Sequence, residues 1–239
     1  VSVDRGLISA VRAELERLAD PARAQQMQRY MKSEMPYRGV PSPAQKQVAR
    51  KVFLEHSLSC RGDWLDTVLA LWREAAFREE RYVAIALAGH ARYRDYRTPE
   101  VLPLVEELVV TGAWWDLVDA VATHMLTELL GSYPAEMRPE ILAWSRDPSL
   151  WKRRSSIICQ IGRKKETDLD LLYACIEPNL SDRDFFIRKA IGWALRAQAW
   201  TDPDEVVRYV GENKSRLSPL SRREALKNVP GNESLRRPV

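Results

Sequence analysis

Proline placement constrains this chain more than any other feature. Six prolines follow a Ser, Thr or Asp: Asp20-Pro21, Ser42-Pro43, Thr98-Pro99, Asp147-Pro148, Asp202-Pro203 and Ser218-Pro219. An oxygen-bearing N-cap satisfies one unpaired amide of a helix's first turn, and proline at the first helical position removes another. Each pair therefore predicts a helix start, and Tyr133-Pro134 predicts one more without a side-chain cap. Between these starts apolar residues recur at intervals of three and four. Val68, Leu69, Leu71 and Trp72 form one such set, and Val101, Leu104, Val105 and Leu108 another. Alternating β-branched runs are missing. The pattern predicts an all-α protein of about a dozen helices of roughly 10–18 residues.

Many short helices joined by tight polar turns suit stacked antiparallel pairs better than a four-helix bundle. The proline spacing is irregular, so any repeat is structural and degenerate. The expected architecture is a solenoid of HEAT-like helical pairs with a concave basic surface on which a long partner would lie. No linker divides the chain: residues 1–230 are expected to form a single domain, and 231–239 a frayed tail.

Composition closes off several classes. Apolar residues make up 45% of the 239, near the globular average, which argues against disorder. No stretch approaches the length of uncharged apolar chain that a membrane span requires. Glycines number only ten, and neither a dinucleotide-binding glycine motif nor a phosphate-binding loop occurs. Cys60, Cys159 and Cys175 are odd in number and dispersed, and His56, His90 and His124 share no short spacing. Neither a disulfide scaffold nor a metal site is expected, and no cofactor. No leader is recognised, Val1 in place of Met is read as a trimmed start, and a cytosolic monomer is expected.

Charge is uneven. Residues 111–137 hold four acids and no base, whereas 138–165 hold eight bases against two acids and 183–227 ten against six. Such blocks are the expected footprint of a polyanion partner, although a charged run is more often a solvated helix face.

Three helices carry residues on unexpected faces. In the first, Trp114, Leu117, Val118, Val121 and Met125 form the apolar face. Trp115 and Asp119, four apart, share a face well away from it. That pair is either an amphipathic edge or an aromatic-walled carboxylate placed to stabilise a developing cation. In the second, Asp182 to about Ala199, the stripe of Ile187, Ile191, Ala194 and Leu195 leaves Trp193 off the core, flanked by Phe186, Lys189 and Arg196. Trp193 is either partly buried on a neighbouring helix or part of a groove that handles a polyanion. In the third, Ser149 to about Ile161, Arg154 falls within the apolar face of Trp151, Ile157, Ile158 and Ile161. A buried guanidinium needs an internal acid or a ligand anion. The favoured expectation is that it emerges at a groove and meets phosphate bidentately.

The segments Trp114–Asp119 (WWDLVD), Phe185–Arg196 (FFIRKAIGWALR), Arg29–Val40 (RYMKSEMPYRGV) and Pro219–Lys227 (PLSRREALK) resemble the AlkD-type DNA alkylation repair proteins. Those are HEAT-like solenoids that act as alkylpurine DNA glycosylases. The resemblance runs from about residue 25 to 228 with order and spacing kept. It implies that Trp115, Asp119 and Trp193 form the lesion-facing cleft. Asp119 would be the catalytic carboxylate, with the two indoles on the damaged nucleotide. Tyr30 matches an aromatic near the lesion and Arg154 an arginine on the DNA backbone. Lys32, Arg153, Lys189 and Arg196 complete the expected DNA contacts. The implied partner is double-stranded DNA containing alkylated purines, gripped with the lesion facing away from the protein and no base-flipping pocket.

The chemistry is consistent with those residue types. An N3- or N7-alkylated purine is already cationic, so it leaves without a general acid. An anion beside the sugar stabilises the oxocarbenium-like transition state more than the ground state. Lysine Schiff-base chemistry has no evident candidate, so a monofunctional glycosylase that leaves an abasic site is expected. Two rival readings share the scaffold: a non-catalytic binder of damaged or branched DNA, and an array that binds helical peptides.

Overall fold

The computed structural model describes residues 2–236, and every regular element among them is helical. The helices group into two compact units, Val1–Thr98 and Pro99–Val239. The division falls at one of the proline-marked steps, with no glycine- or serine-rich linker to announce it. No described helix is long and apolar enough to cross a membrane.

The first unit contains α1 (Arg5–Arg17), α2 (Pro21–Met31), α3 (Ser42–Glu55), α4 (Arg61–Arg73) and α5 (Arg78–Ala88). α1 packs on α3 and α5, and α4 on α5, around buried Leu7, Val11, Leu15, Val52, Trp64, Val68 and Leu87. The connection from α2 to α3 is folded back by a buried acid. Glu79 Oε1 accepts from the amides of Arg38 (3.1 Å), Gly39 (2.9 Å) and Val40 (3.2 Å). Gly39 has φ +82°, and a Cβ there would lie 2.2 Å from the Asp20 carbonyl oxygen, so no other residue fits.

The second unit contains α6 (Leu102–Gly112), α7 (Trp115–Val121), α8 (Thr127–Ser132), α9 (Pro134–Trp144), α10 (Leu150–Ile158), α11 (Leu169–Ile176), α12 (Phe185–Ala199), α13 (Pro203–Glu212), α14 (Pro219–Ala225) and α15 (Glu233–Arg236). A π turn, Ala122–Leu126, joins α7 to α8 without a break. α10 packs against both α7 and α12, and α14 lies against α12; α9 contacts α8 and α11. The approach of α14 to α12 depends on Gly192, where a Cβ would meet the Ser221 carbonyl oxygen at 2.9 Å and Glu224 Cβ at 2.4 Å. This explains a glycine in mid-helix despite its cost there.

The proline rule holds where the cap side chain is free to bond forward. Asp20, Asp202 and Ser218 accept from the amides of Arg23, Glu205 and Ser221. Three other starts shift. Pro41, extended at ψ 155°, takes the cap position, so Ser42 is the first residue of α3. Asp147 Oδ1 bonds the Ser149 amide at 2.8 Å in a local turn, which delays α10 to Leu150. Pro99 opens a 3-10 turn, Pro99–Val101, ahead of α6. Several helices are shorter than expected; α14 has only seven residues. Of the tail expected to fray, Glu233–Arg236 forms a helical turn with the Arg236 guanidinium donating to the carbonyls of Leu226 and Val229. Residues 237–239 lie outside the described residues.

Candidate catalytic site

The site is built on α7, α10 and α12. Leu117, Val118 and Val121 are fully buried, which turns the other side of α7 outward. Trp115 begins that helix and is 37% exposed. Asp119 lies one turn on, on the same face. Trp114, expected on the apolar face of this helix, instead caps it in an extended conformation. Its ring packs on Trp151 of α10 (centroids 6.3 Å apart) and edge-on to Phe186 of α12 (5.4 Å).

Arg154 joins the three helices. Its Nε and one Nη donate to the two oxygens of Asp119, each at 2.7 Å, and the other Nη donates to the Phe186 carbonyl at 2.6 Å. The arginine is 5% exposed. The internal-acid alternative is therefore what the structure shows, and the expectation of a guanidinium emerging to meet phosphate is corrected. The cause is spatial: α10 packs against α7, which delivers a carboxylate to the one cation on the apolar face. Planar two-point pairing fixes the carboxylate's orientation. Two of the five guanidinium N–H groups remain outside these three bonds. Burial pushes the Asp119 carboxyl above its ordinary value, with nearby Asp116 adding to the rise and Arg154 opposing it.

α12 starts where Asp184 Oδ1 accepts from the Phe186 amide at 2.6 Å. Its buried side carries Ile187, Ile191, Ala194 and Leu195, as expected. Trp193 is half-buried. It stands two turns, about 10.5 Å, along the helix from Phe186 and on the same face.

Three other expected DNA-binding cations are engaged within the protein. Lys189 (2.9 Å) and Arg196 (2.5 Å) both pair with Glu224 of α14. Arg153 pairs with Asp182 at 3.0 Å and donates to the carbonyls of Asp147 and Pro148. Lys152 bridges Glu106 and Asp147, and Arg138 pairs with Asp168. Several cations of the basic blocks thus meet acids from other helices or the turns between them, which counting along the chain does not detect. In the first unit Tyr30 is 78% exposed on α2. Lys32 is exposed just beyond it, in a left-handed conformation.

Sequence reasoning missed the Phe186 carbonyl as an anchor for Arg154, and Glu224 and Asp182 as counter-charges. It also missed the aromatic wall of Trp114, Trp151 and Phe186, in which Phe186 sits 5.1 Å from Trp151. Only the two adjacent phenylalanines of FFIRKAIGW offered a signal, and they do not reveal which helix they face.

This helical fold, with a carboxylate oriented by a buried arginine on the helix face that carries Trp115, has a match among known families. The sequence model of the DNA alkylation repair enzyme family matches residues 11–229, and the chain belongs to that family. A solved structure, a predicted DNA alkylation repair enzyme from Enterococcus faecalis, is similar at 30% identity with a TM-score of 0.80. The likeness covers 89% of this chain and 97% of that one. No curated protein matches the chain significantly.

Proposed function

We infer that the protein is a DNA glycosylase that hydrolyses the N-glycosidic bond of cationic N3- or N7-alkylated purines in duplex DNA. The observation that carries this reading is the bidentate Asp119–Arg154 pair at 2.7 Å, which holds one carboxylate rigidly on the Trp115 face of α7. A carboxylate that already spends two of its acceptor positions on Arg154 keeps two for other partners. Those are free to face the sugar and its attacking water.

When the cationic base departs with the bonding electrons, positive charge moves to the sugar. A pre-oriented anion lowers that state more than the ground state, without reorganising at the moment of reaction. The indoles of Trp115 and Trp193 add cation–π attraction of about 1–2 kcal/mol each when water is excluded. No general acid is needed for a leaving group that departs neutral. Arg154 acts as the positioning residue for Asp119. Lys189 and Arg196 share the single charge of Glu224, so that cluster keeps a net positive charge toward DNA. A solenoid arrangement with a concave basic face would let these groups grip the backbone while the lesion points away.

One observation favours a second reading. With Asp119 paired and four candidate DNA contacts engaged internally, the protein could bind damaged or branched DNA without cutting a bond. Incubating the pure protein with duplex DNA carrying 7-methylguanine, and identifying the bases set free, separates the two. The glycosylase reading expects free 7-methylguanine, an intact strand with an abasic site, and affinity that falls steeply with salt. Tight binding with no base released would establish the binder instead. Negligible binding at low salt would remove both.

A further inference from the structure

α12 has two distinct sides. At about 100° per residue, Ile187, Ile191, Ala194, Leu195 and Gln198 share one side, and all five are buried. Phe186, Lys189, Trp193 and Arg196 share the other, and none of these four is buried. Trp200 ends the helix with helical dihedrals, φ −71° and ψ −19°. Seven residues beyond Trp193, it returns to within about 20° of the same line. Its side chain is 75% exposed. An indole left that open contributes little to the core.

We propose that Trp200 is a further contact to the DNA duplex, its indole lying against a nucleotide of the substrate away from the reacting sugar. Two helical turns separate it from Trp193 by about 10 Å, the span of roughly three nucleotides along a strand. The contact therefore extends the grip to one side of the lesion only. This inference rests on the glycosylase reading above. A protein partner is disfavoured because one side chain falls far short of the about 800 Å² per partner that a stable interface buries. A duplex backbone, by contrast, is met by individual side chains on its phosphates and sugars. Here Lys189 and Arg196 supply cations, two charges sharing one carboxylate on the same side of α12.

The test uses hairpin-closed duplexes of equal length that carry a 2′-fluorinated 7-methylguanine nucleotide, whose glycosidic bond resists cleavage. The lesion is placed centrally or near either end. Wild-type protein should lose affinity when the duplex is short on one particular side, and much less on the other. Trp200→Ala should bind the central-lesion duplex about five- to tenfold more weakly, the scale of losing one aromatic contact. It should no longer distinguish the two ends, and Trp200→Phe should recover most of the loss. On cleavable substrate, the drop in affinity should exceed any drop in the single-turnover excision rate. Wild-type affinity in Trp200→Ala overturns the proposal, whether or not the thermal midpoint moves. A loss confined to the excision rate overturns it too. If wild-type protein neither binds nor excises, the glycosylase reading itself fails. If it excises and Trp200→Ala binds normally, only the role of Trp200 fails.

Discussion

Asp119→Asn will bind methylated duplex yet release 7-methylguanine more slowly by about two to three orders of magnitude, the usual cost of losing one pre-oriented electrostatic group. Asparagine keeps the volume of the side chain and one oxygen to accept from Arg154 Nε. It removes the charge that would face the sugar. It also leaves a 5%-exposed guanidinium without a counter-charge, so some stability is lost as well. Circular dichroism at the assay temperature separates that loss from the chemical one. Turnover at the wild-type rate by a folded variant would remove Asp119 from the reaction.

Arg154→Ala will act first on the fold. Deleting one partner of a buried ion pair strands the other, at a cost of about 3–5 kcal/mol, or on the order of 10 °C in thermal midpoint. The loss will depend on pH, and its sign follows from Asp119. Burial raises that carboxyl's pKa in the folded protein, so the native state holds the proton more tightly than the unfolded chain. Its ionisation therefore costs stability as pH rises from the unfolded value through the folded one. Removing Arg154 removes the opposing cation and widens that window. The variant should accordingly lose more stability at neutral pH than in mild acid. Thermal melts at the two pH values check this. A wild-type midpoint together with weakened, sequence-independent DNA binding would instead place Arg154 on phosphate.

What the sequence showed, and what it hid, divides along one physical line. Properties carried within a single helix were legible. Leu117, Val118 and Val121 are buried, Trp115 and Asp119 share the opposite side of α7, and Trp193 lies off the core of α12. All of this follows from the 3.6-residue turn alone. Pairings between helices were not legible. Asp119 and Arg154 are separated by 35 residues, and Arg196 and Glu224 by 28. Nothing in local spacing signals that such residues meet. Arg154 stands out in the sequence because a cation within an apolar stripe demands a partner. Its partner proved to be the very carboxylate suspected on other grounds. The missed starts at Ser42 and Asp147 have a local cause, since competing turn bonds and a second proline reassign the cap. The roles proposed for Asp119, Trp115 and Trp193 rest on the family resemblance, which periodicity alone does not supply.

The central claim is that an ionised, partly buried Asp119 assists departure of the base, and the pH dependence of single-turnover base release tests it most directly. Because burial lifts the Asp119 carboxyl above its ordinary value, release should climb with pH along a limb displaced upward from that of a solvent-exposed aspartate. It should level off once the carboxylate is fully ionised, and the limb should be missing from Asp119→Asn. Release that stays constant down through the ordinary carboxylate range, or a limb that persists in Asp119→Asn, would contradict it.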